Sequence, residues 1–298
     1  MRIVIAGGTG FLGRALVAAL RDGRHDVVVL TRRAPSGPGQ VTWHPDGTAG
    51  PWGHVVDGAE AVINLAGESI AGARWTDARK RLLLQSRVLP TRSLAAAALA
   101  AKRPPAVLLQ SSGVGYYGPR GEEEVTEEAG PGDDFLARTS VAWEAAAAPV
   151  AEAGGRVVLL RNGLVLAPEG GVLQRMLLPF RLGVGGPFGN GRAGLPWIHL
   201  ADWVALVEWL LATPAAGGPV NATAPEPVSN EVFAATLARV LRRPAFLRTP
   251  AAALRLALGE MADVLLTGQR AVPARALSMG FRFRFPSLEP ALRDLLRR

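Results

Sequence analysis

Short apolar runs alternate with segments of helical periodicity through the first half of the chain. Ile3 to Ala6 is continuously apolar, as a strand covered on both faces must be, and Phe11 to Leu20 then carries helical spacing. Val27 to Leu30 predicts a second strand, and Ala61 to Leu65 another that ends in Ala66-Gly67. Thr76 to Ala101 predicts a long helix stopped near Pro104-Pro105. Ala106 to Gln110 predicts the next strand, leading into Ser111-Ser112-Gly113. Residues 118–134 are rich in Gly, Pro and acids and predict a loop. Phe135 to Ala153 predicts a helix and Arg156 to Leu160 a strand. This order implies an α/β chain of Rossmann type, with a doubly wound parallel sheet.

Beyond Gly163 the rhythm breaks. Residues 183–196 are glycine rich and predict a cleft lining, while Ala201 to Ala212 and Glu231 to Leu241 predict helices. The expected division is a dinucleotide-binding domain over 1–230 and a small C-terminal lobe over 231–298. Residues of about 165–195 contribute to the substrate lobe in this reading.

Composition narrows the class. The 298 residues, 49% hydrophobic, suffice for one large domain and a smaller lobe. No apolar run reaches the roughly 18 residues of a membrane span. The chain opens directly on a strand rather than a signal peptide. A soluble, cytoplasmic protein without membrane association is therefore expected. There is no cysteine, which excludes disulfides, thiolate metal sites and cysteine nucleophiles, and no metal site is expected. The net charge of +8 falls within residues 239–298, where twelve Arg face four acids. That segment reads as a helical lobe with solvated Arg faces, the alternative being a surface for an acidic ligand or partner. Only Lys80 and Lys102 are lysines, so Arg is the general cation of this chain. No basic stripe interleaved with aromatics argues for nucleic acid. Oligomeric state is not legible.

The junction of the first strand and helix carries the chemistry. Gly7-Gly8-Thr9-Gly10-Phe11-Leu12-Gly13 places a glycine turn between them, the fingerprint of a site for a dinucleotide pyrophosphate. Gly7 permits the tight turn, Gly10 lets phosphates approach the backbone, and Gly13 lets the helix pack on the strand. The helix start offers free N–H groups and the positive end of its dipole. Thr9, Phe11 and Leu12 are cofactor contacts on this reading. The second strand ends in Thr31-Arg32-Arg33 rather than an acid. A guanidinium suits a 2′-phosphate, so NADP(H) is expected, with Arg32 the main contact and Arg33 secondary. Leu65, Ala66 and Gly67 end another strand at the carboxyl edge, where the cofactor would lie against small residues. Ser111 and Arg161 fall on the same edge. Glu68 and Arg74 are weaker candidates for the substrate side. Gly189-Asn190-Gly191-Arg192 reads equally as an anion clamp or a surface hairpin.

The chain resembles the extended, epimerase-like branch of the short-chain dehydrogenase/reductase superfamily. The matching segments are Gly7 to Gly13, Asn64-Leu65-Ala66-Gly67, Ser111-Ser112-Gly113-Val114-Gly115-Tyr116-Tyr117-Gly118 and Trp197-Ile198-His199-Leu200-Ala201-Asp202. More closely, it is similar to an atypical subgroup of nucleoside-diphosphate-sugar epimerase-like "epimerase family" proteins. Those carry segments like Gly67-Glu68, Ala73-Arg74-Trp75-Thr76, Ser86-Arg87 and Gly259-Glu260-Met261-Ala262-Asp263, and end in a small domain of unknown function. The resemblance runs over essentially the whole chain. It implies a Ser that holds the substrate oxygen, matched by Ser112, and a Tyr-x-x-x-Lys pair that exchanges a proton with it. No such pair exists here: Arg120 and Gly121 stand four residues after Tyr116 and Tyr117. The usual tyrosine and lysine positions fall near Leu136 and Ser140, and the superfamily's Asn matches Arg87.

Substitutes for the missing pair are therefore sought among Ser112, Arg87 as an oxyanion stabiliser, Tyr116 or Tyr117 from the loop, and His199 as a proton donor. The competing reading of His199 is a structural hydrogen bond in a strand–helix corner, beside Asp202 as helix cap. The function these residues imply is an NADP(H)-dependent oxidoreductase acting on a small molecule, an anionic one included. The alternatives are a sugar-nucleotide epimerase and a non-catalytic NADP(H)-sensing or scaffold protein.

Overall fold

A computed structural model describes residues 1–297. Its centre is a parallel sheet of seven strands: β1 (Arg2–Ala6), β2 (Asp26–Thr31), β3 (Gln40–Thr42), β4 (Ala61–Asn64), β5 (Val107–Gly113), β6 (Arg156–Asn162) and β7 (Gly218–Ala222). They lie in the order β7-β6-β5-β4-β1-β2-β3, so the order reverses beside β1. That reversal opens a crevice at the carboxyl ends of β1 and β4, where ligands of such sheets bind.

Side chains alternate across β1. Ile3 and Ile5 pack on one face with Leu16 and Leu20 of α1 (Phe11–Asp22) and with Trp203, Leu206 and Leu210 of the helix Leu200–Ala212. Val4 and Ala6 face the other layer, against Leu94 and Ala98 of α2 (Asp77–Ala100). Both faces are covered, which is why β1 reads as an unbroken apolar run. Thr76 caps α2 by accepting from Arg79 N, and Pro90 lies buried inside it.

Several sequence expectations change in detail. The helix predicted from Phe135 to Ala153 is two: α3 (Phe135–Ala145), capped by Asp134, and a short turn Ala148–Glu152. Pro149 cannot donate to a preceding carbonyl and starts the second piece. The predicted loop 118–134 contains the strand Glu124–Val125, which pairs with Arg270–Ala271. Strands β3 and β7 had no clear periodic signal, and the helix Gly171–Arg181 was not expected although Leu173, Met176, Leu177 and Phe180 carry helical spacing.

After Asn162 the chain weaves between two layers. The helix Gly171–Arg181 enters a second core, where Met176 and Phe180 meet Phe233, Leu237, Phe285 and Leu292. Leu200–Ala212 and β7 return to the sheet, then Asn230–Leu241 goes back to the second core. Asp202 fastens the two together, its carboxylate accepting from the backbone N–H groups of Arg284 and Phe285 at 2.8 Å each. Among the described residues, no helix is long and apolar enough to cross a membrane.

Candidate functional site

The crevice beside β1 holds a cleft of about 500 Å³. Gly7, Thr9, Gly10, Leu65, Ala66 and Gly67 form one end of it, and Thr31 and Arg32 form another. Gly7 has φ +79, and a Cβ there would stand 2.6 Å from the Leu65 carbonyl. A Cβ at Gly13 would reach within 2.2 Å of the Gly7 oxygen, so the helix seats on the turn only because Gly13 lacks a side chain. Gly10 N donates to Gly7 O at 2.9 Å, closing the turn. Gly10 is the N-terminal cap residue of α1, and no side chain caps that helix. First-turn N–H groups without a protein cap are what an anion binds. The residues present therefore fit a dinucleotide: a cradle that a Cβ would fill, open helix donors, and a cation across the cleft.

Asn64, unassigned in the sequence reading, shapes the facing wall. Its Oδ1 accepts from Ala66 N at 3.0 Å, while its Nδ2 donates to Thr91 and Gln110. The Leu65–Gly67 turn is thereby held in place by a fully buried amide. Arg32 reaches the cleft with its side chain 70% exposed, in a loose ion pair with Glu68 at 3.5 Å. Such a pair contributes little and leaves the guanidinium available. Arg33 is exposed and outside the cleft lining; its backbone N–H donates to Thr31 Oγ1.

A second cavity, of about 810 Å³, adjoins the first. Gly10 and Glu68 line the cleft, and their chain neighbours Phe11 and Ser69 line the cavity, together with Leu12, Asn162 and Gly163. Its far walls come from Gly171–Arg181, from the glycine-rich segment Val184 to Phe188, and from residues beyond Thr249.

The end of β5 is organised quite differently. Ser112 is buried, and its hydroxyl donates to Glu144 Oε1 at 2.6 Å. Arg161 donates to both oxygens of Glu144 at 2.9 Å and to the Tyr117 hydroxyl at 3.0 Å. Tyr117 in turn donates to Asn221 at 2.7 Å. Burial works against the Arg161 charge, but the bonds to Glu144 hold its pKa above the ordinary arginine value. Burial likewise pushes the Tyr117 pKa up. Ser112 and Arg161, assigned from sequence to catalysis and cofactor contact, are thus committed to a closed internal network. Ser111 is also internal, its hydroxyl accepting from Asn162 Nδ2 at 2.8 Å.

The other candidates also change role. His199 caps the helix Leu200–Ala212, its Nδ1 accepting from Ala201 N at 3.0 Å, while its ring stacks on Phe285 at 4.1 Å. The accepting Nδ1 is unprotonated, which leaves the proton on Nε2, 3.3 Å from Asp294 but without a well-directed bond. Burial lowers its pKa, against the pull of Asp294 and Asp202. The structural reading of His199 is the one realised, and the cap assigned to Asp202 belongs to the histidine. Arg87 donates to the Leu83 and Glu68 carbonyls at 3.0 Å each and lies over Trp143. Burial lowers its pKa to about 10, so it remains a cation bracing the loop behind Gly67. Tyr116 is half-buried over the Arg161 guanidinium, 3.5 Å from ring centre to carbon, outside both cavity linings. Gly189 to Arg192 is a local turn tied to Phe188 and Arg248, also outside both linings.

Glu144 and Asn221 escaped the sequence reading, and Tyr117 entered it only as a proton donor from the loop. The signal available was Arg161 itself: an arginine ending the apolar run Val157 to Leu160 needs a buried counter-charge, and Glu144 is the acid that α3 supplies.

Comparison with known proteins agrees with this architecture. The model of the NAD dependent epimerase/dehydratase family matches residues 3–223, and that of a domain of unknown function (DUF1731) matches 249–295. The epimerase family protein Mb2239 of Mycobacterium bovis is 42% identical, over 97% of this chain and 96% of its own. A crystal structure of human epimerase family protein SDR39U1 with NADPH is 37% identical, with a TM-score of 0.90 over 99% of both chains. MoeE5 in complex with UDP-glucose and NAD shares the fold at 21% identity, with a TM-score of 0.76 over 98% of this chain and 96% of its own. The glycine turn, the seven-stranded sheet and these matches together place the chain in the NAD dependent epimerase/dehydratase family.

Proposed function

We propose that the chain binds NADP(H) in the cleft beside β1 and acts as an oxidoreductase on a small molecule held in the adjoining cavity. The observation that carries this reading is the uncapped start of α1, facing a cleft whose other end bears the exposed Arg32. The crystal structure of the human relative with NADPH supports it. First-turn N–H groups of α1 would hold the pyrophosphate, Leu65 to Gly67 would flank the ribose, and Arg32 would clasp the 2′-phosphate. When bound, the cofactor supplies or accepts hydride. Phe11 and Leu12 put apolar surface beside the junction of the two cavities. The cavity lining includes no Asp, Glu, His, Lys or Tyr, so the proton is exchanged with water rather than with a protein acid. The chain would work as a soluble cytoplasmic enzyme.

A second reading, an NADP(H) sensor without turnover, is favoured by one observation: Ser112 is already bonded to Glu144. Isotope transfer decides between them. NADPH deuterated at the nicotinamide C4, incubated with a panel of aldehydes and ketones, is expected to deliver deuterium to at least one product. Tight NADPH binding with no transfer to any member would support the sensor.

A further inference from the structure

The walls of the larger cavity define what can occupy it. Phe11 comes from α1, Met176 and Phe180 from the helix Gly171–Arg181, and Leu258 and Val264 from the C-terminal segment. The one ionisable side chain on the lining is Arg175. It sits at the exposed rim, with Nη1 donating to the Ala71 carbonyl at 2.9 Å. The uncharged polar side chains on the lining are Ser69, Gln174, Thr249 and Asn162, and the Asn162 amide is already used: Nδ2 donates to Ser111, Ser112 and Leu160, and Oδ1 accepts from Trp203 Nε1. The entrance is apolar too. Val184, on the lining, is 54% exposed.

A sugar nucleotide would bring a diphosphate into this space. Its two negative charges would meet one rim arginine, no interior cation, and an uncapped helix start at Gly170–Gly171 against which the apolar Phe11 ring packs. Burying charge without partners is strongly unfavourable. Apolar walls, by contrast, favour apolar ligands in proportion to the area removed from water, and about 810 Å³ lies within the usual range of ligand pockets, about 300–1,000 Å³.

We infer that the cavity binds an uncharged, largely apolar molecule, a long-chain or polycyclic carbonyl compound or the matching alcohol, and excludes sugar nucleotides. The sequence left an anionic substrate open, and the cavity walls favour an uncharged one. This ligand class rests on the proposed function only for the reacting group: in reduction, hydride goes to the carbonyl carbon and a water proton to its oxygen, leaving alcohol and oxidised cofactor. The binding preference stands on the cavity alone.

The test uses the whole protein and the uncharged fluorophore N-phenyl-1-naphthylamine, titrated with and without NADPH. Saturable binding is expected, with displacement by straight-chain 2-alkanones whose affinity rises about fourfold per methylene until the cavity is full. UDP-glucose should not displace the probe. Val264→Trp fills the cavity and Val264→Asp places a charge in it. Each should weaken probe binding at least tenfold while NADPH titrates as in the parent. Displacement by UDP-glucose, absence of a chain-length trend, or indifference to both variants would overturn the inference. Circular dichroism identifies a variant that fails to fold, and the alkanone series on the parent protein decides without it. If the ketone series behaves as expected but NADPH does not bind, the proposed function fails and the apolar site stands.

Discussion

Two stretches of one carboxyl edge, at the ends of β1 and β5, have opposite polar accounting. At β1 the turn exposes backbone donors that no side chain caps. At β5 the polar groups are satisfied internally: Ser112 by Glu144, Glu144 by Arg161, and Arg161 by Tyr117 as well. An edge with open donors is built for a ligand. An edge whose donors and acceptors close on each other is built for rigidity. The end of β1 is therefore kept in binding form, while the polar side chains at the end of β5, Ser112 among them, are bonded to one another.

The largest effect should come from opening the closed edge. Glu144→Ala strands the Arg161 charge in the core and should cost about 3–5 kcal/mol of stability, read by urea unfolding. A loss under about 1 kcal/mol would mean that water or Asn221 satisfies the guanidinium and that the network is not closed. At the open edge, Arg32→Ala removes the charged donor to a 2′-phosphate. Calorimetry should show NADPH affinity falling about ten- to hundredfold, the equivalent of about 1.5–3 kcal/mol, with NADH affinity unchanged. Equal losses for both dinucleotides would assign Arg32 a structural role.

Ser112→Ala separates the two edges further. It removes one neutral donor from the network, so stability should fall by about 1 kcal/mol with NADPH affinity unchanged. A large loss of NADPH affinity at unchanged stability would return Ser112 to the ligand site. The smallest effect is pH dependent. Burial lowers the His199 pKa from its ordinary value of 6.5, so the unfolded chain binds the extra proton first. Its contribution is constant above pH 6.5, and stability falls as pH drops below that value toward the folded pKa. His199→Asn keeps an acceptor for Ala201 N and should flatten that fall. An unchanged profile would show that other groups set it.

The open edge was legible in sequence and the closed edge was not, for a physical reason. Gly7 and Gly13 are dictated by backbone geometry within a few residues of one another, and Arg32 by its place at a strand end. Ser112, Glu144, Arg161, Tyr117 and Asn221 are brought together from separate elements, and only the folded chain shows that their polar groups meet. His199 carried two readings because an imidazole at a cleft-like motif and an imidazole capping a helix have the same local sequence, and the structural one holds. Strand β7 was missed because Gly218 and Pro219 open it, and β3 because its three residues carry no period. The single helix expected over 135–153 failed at Pro149, a signal present in the sequence but outweighed by the alanine run around it.

The contrast between the two edges is tested most directly by a pair of calorimetric titrations of the unliganded protein, one with NADPH and one with NADH. Saturable NADPH binding is predicted at micromolar concentration or tighter, at least tenfold stronger than NADH. Failure of both dinucleotides to bind would contradict this, leaving the glycine turn as a packing device and the open edge of β1 without a ligand.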